Sequence, residues 1–375
     1  MKVLHVSTPM SWRGGEQQAA YLALALKEMK VEVSMLTPFN SALSARMLED
    51  GISVINFKSR GVLDLNLAKK IAKVCKEQKI DVIHTHDSHA HSAAILSAAV
   101  FNNNTPIVVS RRVDFAVSSN LFSKWKYNHA SIKKIVCVSD KIKEITAPSI
   151  KDKSKLVTVH SGIDLKKFEN IKHKTTILRE EFGLEKNTIL IGNVAALAPH
   201  KDYITFLETA KLLLPKLKER EKQENTHREI RFFLIGKEDG SENEIKDWLN
   251  QNQKTKEYFI LTGFRNDIPQ ILPELDIFLF TSQTEGLGTS VLDAFASNVP
   301  VVATAAGGIP ESVVDNKTGL LSKIKDAVSL AENVEKIVYD EELREKLIHN
   351  ATIHLQNFTK ENTAKKTLEI YNSIQ

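Results

Sequence analysis

Short β-branched apolar runs alternate with longer stretches of helical spacing along nearly the whole chain. Residues 3–7 form the first such run, and a Gly14-Gly15 loop follows. AAYLALALKEM then repeats its apolar positions at helical spacing, which predicts an amphipathic helix. VEVSMLT (31–37) and ISVINF (52–57) read as second and third strands. The helical stretch LAKKIAKVCKEQ (67–78) leads into DVIHTH (81–86), and IVVS (107–110) and KIVCVS (134–139) continue the alternation. Strands separated by helices of this length predict right-handed βαβ crossovers and a parallel, doubly wound sheet.

The charged stretch LKKFENIKHKTT (165–176) carries no strand signal and is expected to be a linker. Beyond it the alternation restarts with TILIGNVA (188–195), a helix near 203–218, REIRFFLIG (228–236) and EYFILTG (257–263), then DIFLFTS (276–282) and VPVVAT (299–304). The polar stretch KEREKQENTHRE, ending at Glu229, is expected to be a solvated helix end and loop. Two α/β domains are therefore predicted, 1–168 and 169–355, with an amphipathic helix at about 361–373 packing back on the first. In open α/β sheets ligands lie beyond the carboxyl ends of the strands, so those loops and the cleft between the halves hold the candidate chemistry.

Composition narrows the class. The 375 residues are 42% hydrophobic and 26% charged, which excludes disordered, fibrous and collagen-like chains. Only Cys75 and Cys137 are present, far apart and in no metal spacing, so a disulfide scaffold and a cysteine-zinc site are excluded and a reducing compartment is expected. MKVLHVS lacks the apolar core of a signal peptide, and the best apolar run, 93–101, is too short to span a bilayer, which makes the cytoplasm the expected location. Net charge is +5, unevenly spread: residues 1–165 carry 23 Lys/Arg against 14 Asp/Glu, and the remainder 28 against 32. The basic first half fits either scattered solvated lysines or an anionic acceptor at the inner membrane face. No nucleic-acid partner is expected.

Four loops carry candidate chemistry. SWRGGEQ (11–17) opens a helix after the first strand, where Gly14 and Gly15 would let a ligand approach the backbone, but it is not the GxGxxG dinucleotide fingerprint. DVIHTHDSHAHS (81–92) holds His84 and His86 on one strand face, with His89 and His91 in the loop beyond; no carboxylate or cysteine completes a metal set. His86 is the best placed to position a sugar or relay a proton, and His84 is expected to be packed. Arg111 and Arg112 follow IVVS, where paired guanidiniums suit phosphate or carboxylate. In TSQTEGLGTSVLDAFAS (281–297), Glu285 precedes Gly288, Thr289 and Ser290 at the start of a helix whose free N–H groups would face a phosphate. Asp293 lies one turn further along, on the face of Thr289.

The pattern E-x-G-x-G-T-S-x-L-D-A-x-A, followed by P-V-V-A-T-x-x-G-G-I-P-E and T-G-L-L, resembles the retaining, nucleotide-sugar-dependent glycosyltransferases of family four, the glycogen synthase-like group. HTH (84–86), HSGID (160–164), IGNVAALAPHKD (191–202) and GFRND (263–267) extend the likeness through most of the chain. It implies two Rossmann-like domains facing across a cleft (the GT-B architecture) and transfer of a sugar from a nucleotide diphosphate to an acceptor hydroxyl with retention. It also implies residue roles. Gly14 and Gly15 approach the donor diphosphate or the acceptor, His86 touches the donor sugar, Lys201 neutralises the diphosphate and Glu285 contacts the sugar. Gly288, Thr289 and Ser290 form the phosphate turn, Asp293 takes the ribose hydroxyls, and Arg111 and Arg112 lie on the acceptor side. No cofactor and no metal are expected, and the acceptor is expected to be a glycan or a lipid-linked sugar of the cell envelope.

Two positions depart from the family pattern: Asp293 stands where the family has Glu, and Ala196 where it has the arginine that partners Lys201. Arg265 is a candidate substitute for that charge. Three rivals are weaker. A nucleotide-sugar epimerase would need acid/base carboxylates at the first domain's strand ends, where only Asp87 and Asp114 qualify. A glycogen-type phosphorylase would need a cofactor lysine and a much longer chain. A non-catalytic sugar-nucleotide-binding protein would explain the lost arginine.

Overall fold

The computed structural model describes every residue except 59, 60, 62, 63, 170–174, 225–227 and 375. The middle of the expected linker and the loop of the polar stretch therefore lie outside the described residues. The chain divides into two compact units, one of Met1–Asp164 with Asn357–Gln375, the other of Leu165–Gln356.

Seven parallel strands build the first unit: β1 (Lys2–Val6), β2 (Glu32–Pro38), β3 (Ser53–Phe57), β4 (Val82–Thr85), β5 (Ile107–Arg111), β6 (Ile132–Cys137) and β7 (Leu156–Thr158). Their order in the sheet is β3-β2-β1-β4-β5-β6-β7. Helices cover both faces, so central strands are apolar throughout: Val3, Leu4 and Val6 are wholly buried, as are Val82 and Ile83. The Gly14–Glu28 helix packs against β2 and against the C-terminal Lys360–Asn372 helix, burying Ala364 and Tyr371. Backbone bonds Ile163 N–H to Phe358 O (2.9 Å) and Lys360 N–H to Ile163 O (2.9 Å) anchor that helix, with the buried Lys360 ammonium 3.0 Å from Asp164.

The second unit repeats the plan with β8 (Ile189–Val194), β9 (Ile230–Ile235), β10 (Phe259–Gly263), β11 (Ile277–Phe280), β12 (Val301–Thr304) and β13 (Leu320–Ser322), ordered β10-β9-β8-β11-β12-β13 and parallel throughout. Its core is rich in phenylalanine: Phe206, Phe232, Phe233, Phe278 and Phe280 are wholly buried, each worth about 1.5–3 kcal/mol of transfer free energy. Both units are Rossmann-like. The sequence pattern misses β7 and β13, because three-residue edge strands are too short to show alternation. No helix of the described residues is long and apolar enough to cross a membrane.

Candidate functional sites at the two switch points

In each sheet the strand order reverses direction at one place, between β1 and β4 and between β8 and β11. Loops leaving neighbouring strands toward opposite faces open a crevice there. Most of the candidate residues gather at these two places, whereas Arg265 follows the edge strand β10.

In the second unit, β8 runs into a tight Pro199–Lys201 turn closed by Asp202 at φ +51°. The loop after β11 is stitched to it. Thr281 Oγ1 donates to the carbonyls of Lys201 (3.1 Å) and Asp202 (3.0 Å), and Gln283 N–H donates to His200 O (2.8 Å). The Lys201 ammonium is thereby held against Glu285 Oε1, itself bonded by Ser282 Oγ at 3.0 Å, and lies 5.1 Å from the centre of the Phe280 ring. Both partners are mostly buried, with side chains 15% and 13% exposed. The Gly307-Gly308 turn clamps the Glu285 backbone, with Gly308 N–H donating to Glu285 O at 2.9 Å.

Gly288 caps the Thr289–Ala296 helix at φ +78° and no side chain caps its N-terminus. A Cβ there would run into Ile309 Cδ1. One turn on, the Asp293 carboxylate makes no hydrogen bond among the described residues. Burial pushes its pKa up to about 7, partly opposed by the charge of Lys167. A half-buried carboxylate without donors is suited to accept hydroxyls. The guanidinium of Arg265, the substitute considered for the charge missing at Ala196, is engaged by Asp267 (2.7 and 2.9 Å) and Glu181 (2.6 and 2.9 Å).

The first unit's switch point is a histidine cluster. His5 of β1 and His84 of β4 are register partners, and His86 follows two residues later on the same face. All three are buried, with ring centroids 4.6–5.5 Å apart and His86 stacked on each of the other two. His5 Nδ1 and His86 Nε2 are 2.8 Å apart; His84 bonds the Tyr371 hydroxyl and, at 2.8 Å, Ser110 Oγ. Arg112 donates from both terminal nitrogens to His86, to its carbonyl and its Nδ1, each at 3.3 Å.

One expectation is corrected here. His89 and His91 do not sit in a loop. Asp87 accepts from the N–H groups of His89 (3.0 Å) and Ala90 (2.9 Å), so the Ser88–Phe101 helix begins at once and carries both. Asp87 also accepts from Thr8 N–H (2.8 Å) and Thr8 Oγ1 (2.6 Å), which makes it a strut between the β1 and β4 loops rather than an acid/base group. Arg111, next along, is buried against Tyr127 and Phe115, donating to the Tyr127 hydroxyl at 3.3 Å and to the Phe115 carbonyl. A Cβ on Gly14 or Gly15 would meet nothing within 4 Å, so the protein's own packing does not require that pair.

His5, His84 and His86 each place a ring nitrogen within 4.8 Å of the others, as metal ligands would. The chemistry of the set argues against a cation. The nitrogens that face each other in His5 and His86 are already hydrogen-bonded, both His84 nitrogens are engaged by Tyr371 and Ser110, and the Arg112 charge adds repulsion.

Burial, with Arg112 or a neighbouring histidine adding repulsion, holds these rings neutral: the pKa of His5 is lowered to about 3, and those of His84 and His86 well below the usual value. The same holds for His91, beside Lys126. These depressed values predict acid sensitivity. Below pH 6.5 the unfolded chain takes up protons that the folded unit refuses, so stability falls with pH; at pH 5 His5 alone accounts for about 2 kcal/mol. Asp293 acts oppositely, because its raised folded pKa means the second unit recovers stability as pH falls from 7 toward 4. Urea titrations at pH 7 and pH 5, following Trp12 and Trp125 in one unit and Trp248 in the other, should move in opposite directions. An unchanged first-unit midpoint would contradict the histidine reading.

Two family models divide the chain between them. Residues 12–167 match Glycosyltransferase Family 4 and residues 174–354 match Glycosyl transferases group 1. The chain belongs to the group 1, family 4 glycosyltransferases. This glycosyltransferase is 26% identical over 292 residues to the Escherichia coli UDP-Gal:alpha-D-GlcNAc-diphosphoundecaprenol alpha-1,3-galactosyltransferase, covering 75% of this chain and 72% of that one. It is also 26% identical over 369 residues to the Campylobacter jejuni N,N'-diacetylbacillosaminyl-diphospho-undecaprenol alpha-1,3-N-acetylgalactosaminyltransferase, covering 93% of each. Among solved structures it resembles a glycosyltransferase from Rickettsia africae (TM-score 0.83, 22% identity, 100% of this chain and 98% of that one). Anabaena HepE in complex with UDP and glucose is similar in fold (TM-score 0.82, 19% identity, 100% of both chains).

The sequence reading of this glycosyltransferase missed His5, Lys126 and Tyr371. His5 left a usable signal, as a polar residue at an otherwise buried strand position. Lys126 is buried among Ser88 O, Ser88 Oγ and Ser92 Oγ at 3.1–3.3 Å, with its pKa lowered to about 8 by desolvation and Arg111. Neither Lys126 nor Tyr371 left any sequence signal, since their positions depend on which helix packs where.

Proposed function

We propose that this glycosyltransferase moves a sugar from a nucleoside-diphosphate sugar to a hydroxyl of a glycan or lipid-linked acceptor, retaining the anomeric configuration. The observation that carries this reading is the buried Lys201–Glu285 pair beside the uncapped Thr289–Ala296 helix and the donor-free Asp293 carboxylate. Negative charge builds on the departing diphosphate. Lys201 and the N–H groups of Gly288, Thr289 and Ser290 are the groups fixed in advance to receive it. As Lys201 turns to phosphate, Glu285 is released to accept sugar hydroxyls, with Ser282 still holding it. Ribose hydroxyls donating to Asp293 would stabilise its ionised form. The reading is metal-independent, with Lys201 and the helix N–H groups in the role of the cation.

Acceptor binding is assigned to the first unit, at Arg112 and the open backbone of Gly14 and Gly15, with Arg111 held instead by Tyr127 and Phe115. The names of the Escherichia coli and Campylobacter jejuni relatives support a diphospho-undecaprenol-linked sugar as the acceptor class, and the Anabaena HepE complex supports a UDP donor. Neither rival gains support: Asp87 is engaged as a strut, and a family-wide transferase match leaves a pure binding module without a specific observation in its favour.

The test is a thermal-shift screen against UDP, GDP, ADP and their sugar conjugates, followed by product analysis with a lipid-diphosphate sugar. A ligand at one hundred times its Kd stabilises by about 2.7 kcal/mol. One responding nucleotide, and a product anomer matching the donor's, are expected. A product of opposite anomeric configuration would sink retention, and a donor consumed without transfer to any hydroxyl would sink the transferase reading.

A further inference from the structure

His86 has no polar atom left for a ligand. Its N–H donates to Val6 O at 3.0 Å, its carbonyl and Nδ1 accept from Arg112, and Nε2 faces His5 Nδ1 at 2.8 Å. Arg112 is the reverse case. Two of its five N–H groups reach His86, the other three bond nothing among the described residues, and Nε is buried. No carboxylate ion-pairs with it there, although Glu16 and Asp87 stand near enough for their charges to bear on it.

The polarity of this chain of bonds follows from one fact: a guanidinium only donates. His86 Nδ1 must therefore be the bare acceptor, so in a neutral ring the hydrogen sits on Nε2. That hydrogen points at His5 Nδ1, which must accept it, and the His5 hydrogen is forced onto Nε2. Reversing the His5–His86 bond would put a hydrogen on His86 Nδ1, facing the Arg112 N–H. Only one arrangement is allowed while both rings are neutral. Sheet register builds it, because β1 carries His5 beside β4 and delivers His86 at the strand end, while β5 delivers Arg112.

We infer that His5 and His86 are positioning residues that aim Arg112, and that Arg112, rather than His86, is the group of this switch point that meets substrate. The inference rests on the proposed transfer reaction and refines its first-unit site. A planar guanidinium with two free terminal N–H groups suits phosphate oxygens, which either the donor diphosphate or a diphosphate-linked acceptor supplies. The charged and titratable groups around it are Glu16, Asp87, His84 and Tyr371, besides His5 and His86. The pair works as a lever. Arg112 fixes the His86 tautomer, and the bond from His86 Nε2–H to His5 Nδ1 holds the ring against which the guanidinium plane is set.

The experiment measures kcat and KM, for donor and acceptor separately, in R112A, H86L, H86N, H5L and H5N, with melting temperatures. Losing one charge-assisted contact should cost R112A about tenfold or more in kcat/KM. H86L and H5L should fall in the same parameter and against the same substrate. H86N and H5N, whose side-chain oxygens can accept where each Nδ1 did, should recover most of the loss. Whether the donor or the acceptor KM rises names the source of the phosphate. Ring 15N NMR of His86 should show a bare Nδ1 and a protonated Nε2 in the wild type, and a mixture of tautomers in R112A; this readout stands even if no sugar transfer is found. Full activity in H5L and H86L beside a damaged R112A would overturn the inference. So would a His86 carrying its hydrogen on Nδ1, or stoichiometric Zn2+ binding lost in H5L, since a metal needs the lone pairs that the chain of bonds uses.

Discussion

Lys201→Ala should lower the rate of sugar transfer by about 100- to 1000-fold, the weight of one preorganised charge at a developing oxyanion. Ala196 stands where the family pattern has a second cation, and Arg265 is engaged by Glu181 and Asp267, so in the variant the load of Lys201 falls on the N–H groups of Gly288, Thr289 and Ser290. The variant also leaves Glu285, mostly buried, with Ser282 Oγ as its remaining side-chain donor. Part of any loss would therefore come from an unpaired carboxylate, and a double-mutant cycle with Glu285→Gln separates the two. Steady-state kinetics with the responding donor decide the matter. A Lys201→Ala enzyme retaining a third of the wild-type kcat would remove the ammonium from the leaving-group role.

Gly307→Ala is expected to abolish donor binding and to destabilise the second unit together. Gly307 sits at φ +52°, where a residue with a Cβ is strained by about 1–2 kcal/mol. Its Cβ would lie 2.8 Å from Glu285 N and closer still to the Glu285 carbonyl oxygen, neither of which is a yielding side-chain tip. Relief requires moving the backbone that presents Glu285 to Lys201. A loss of roughly 2–4 kcal/mol, in the range of backbone and overpacking effects, should appear in urea denaturation followed at Trp248. Nucleotide thermal shifts would vanish in parallel. Wild-type nucleotide binding in this variant would mean that the Glu285 backbone does not shape the donor site.

Legibility in the sequence varied by element, for identifiable reasons. Central strands such as β1, β4, β8 and β11 were plain because both faces are buried and their residues are apolar in a run. Edge strands β7 and β13 escaped notice because three residues carry no period. The glycine-rich segment around Glu285 was informative because backbone demands leave marks in composition: Gly288 and Gly307 have positive φ where a side chain would collide. His86 shows the opposite case. A histidine at a strand end advertises chemistry, yet whether its nitrogens are free depends on partners 26 and 81 residues away.

By itself the sequence determined the class of fold, the two-unit organisation of α/β alternation, and the local shape of the Gly288–Ser290 turn, since each follows from periodicity and glycine placement over a few residues. Only the tertiary structure decided which charges are available. It engaged Arg265 and Asp87, left Asp293 and Arg112 without ion-pair partners among the described residues, and brought His5 to His86. Hydrogen bonding and ion pairing act within about 3–4 Å, and contacts across a parallel sheet join residues that the chain keeps far apart.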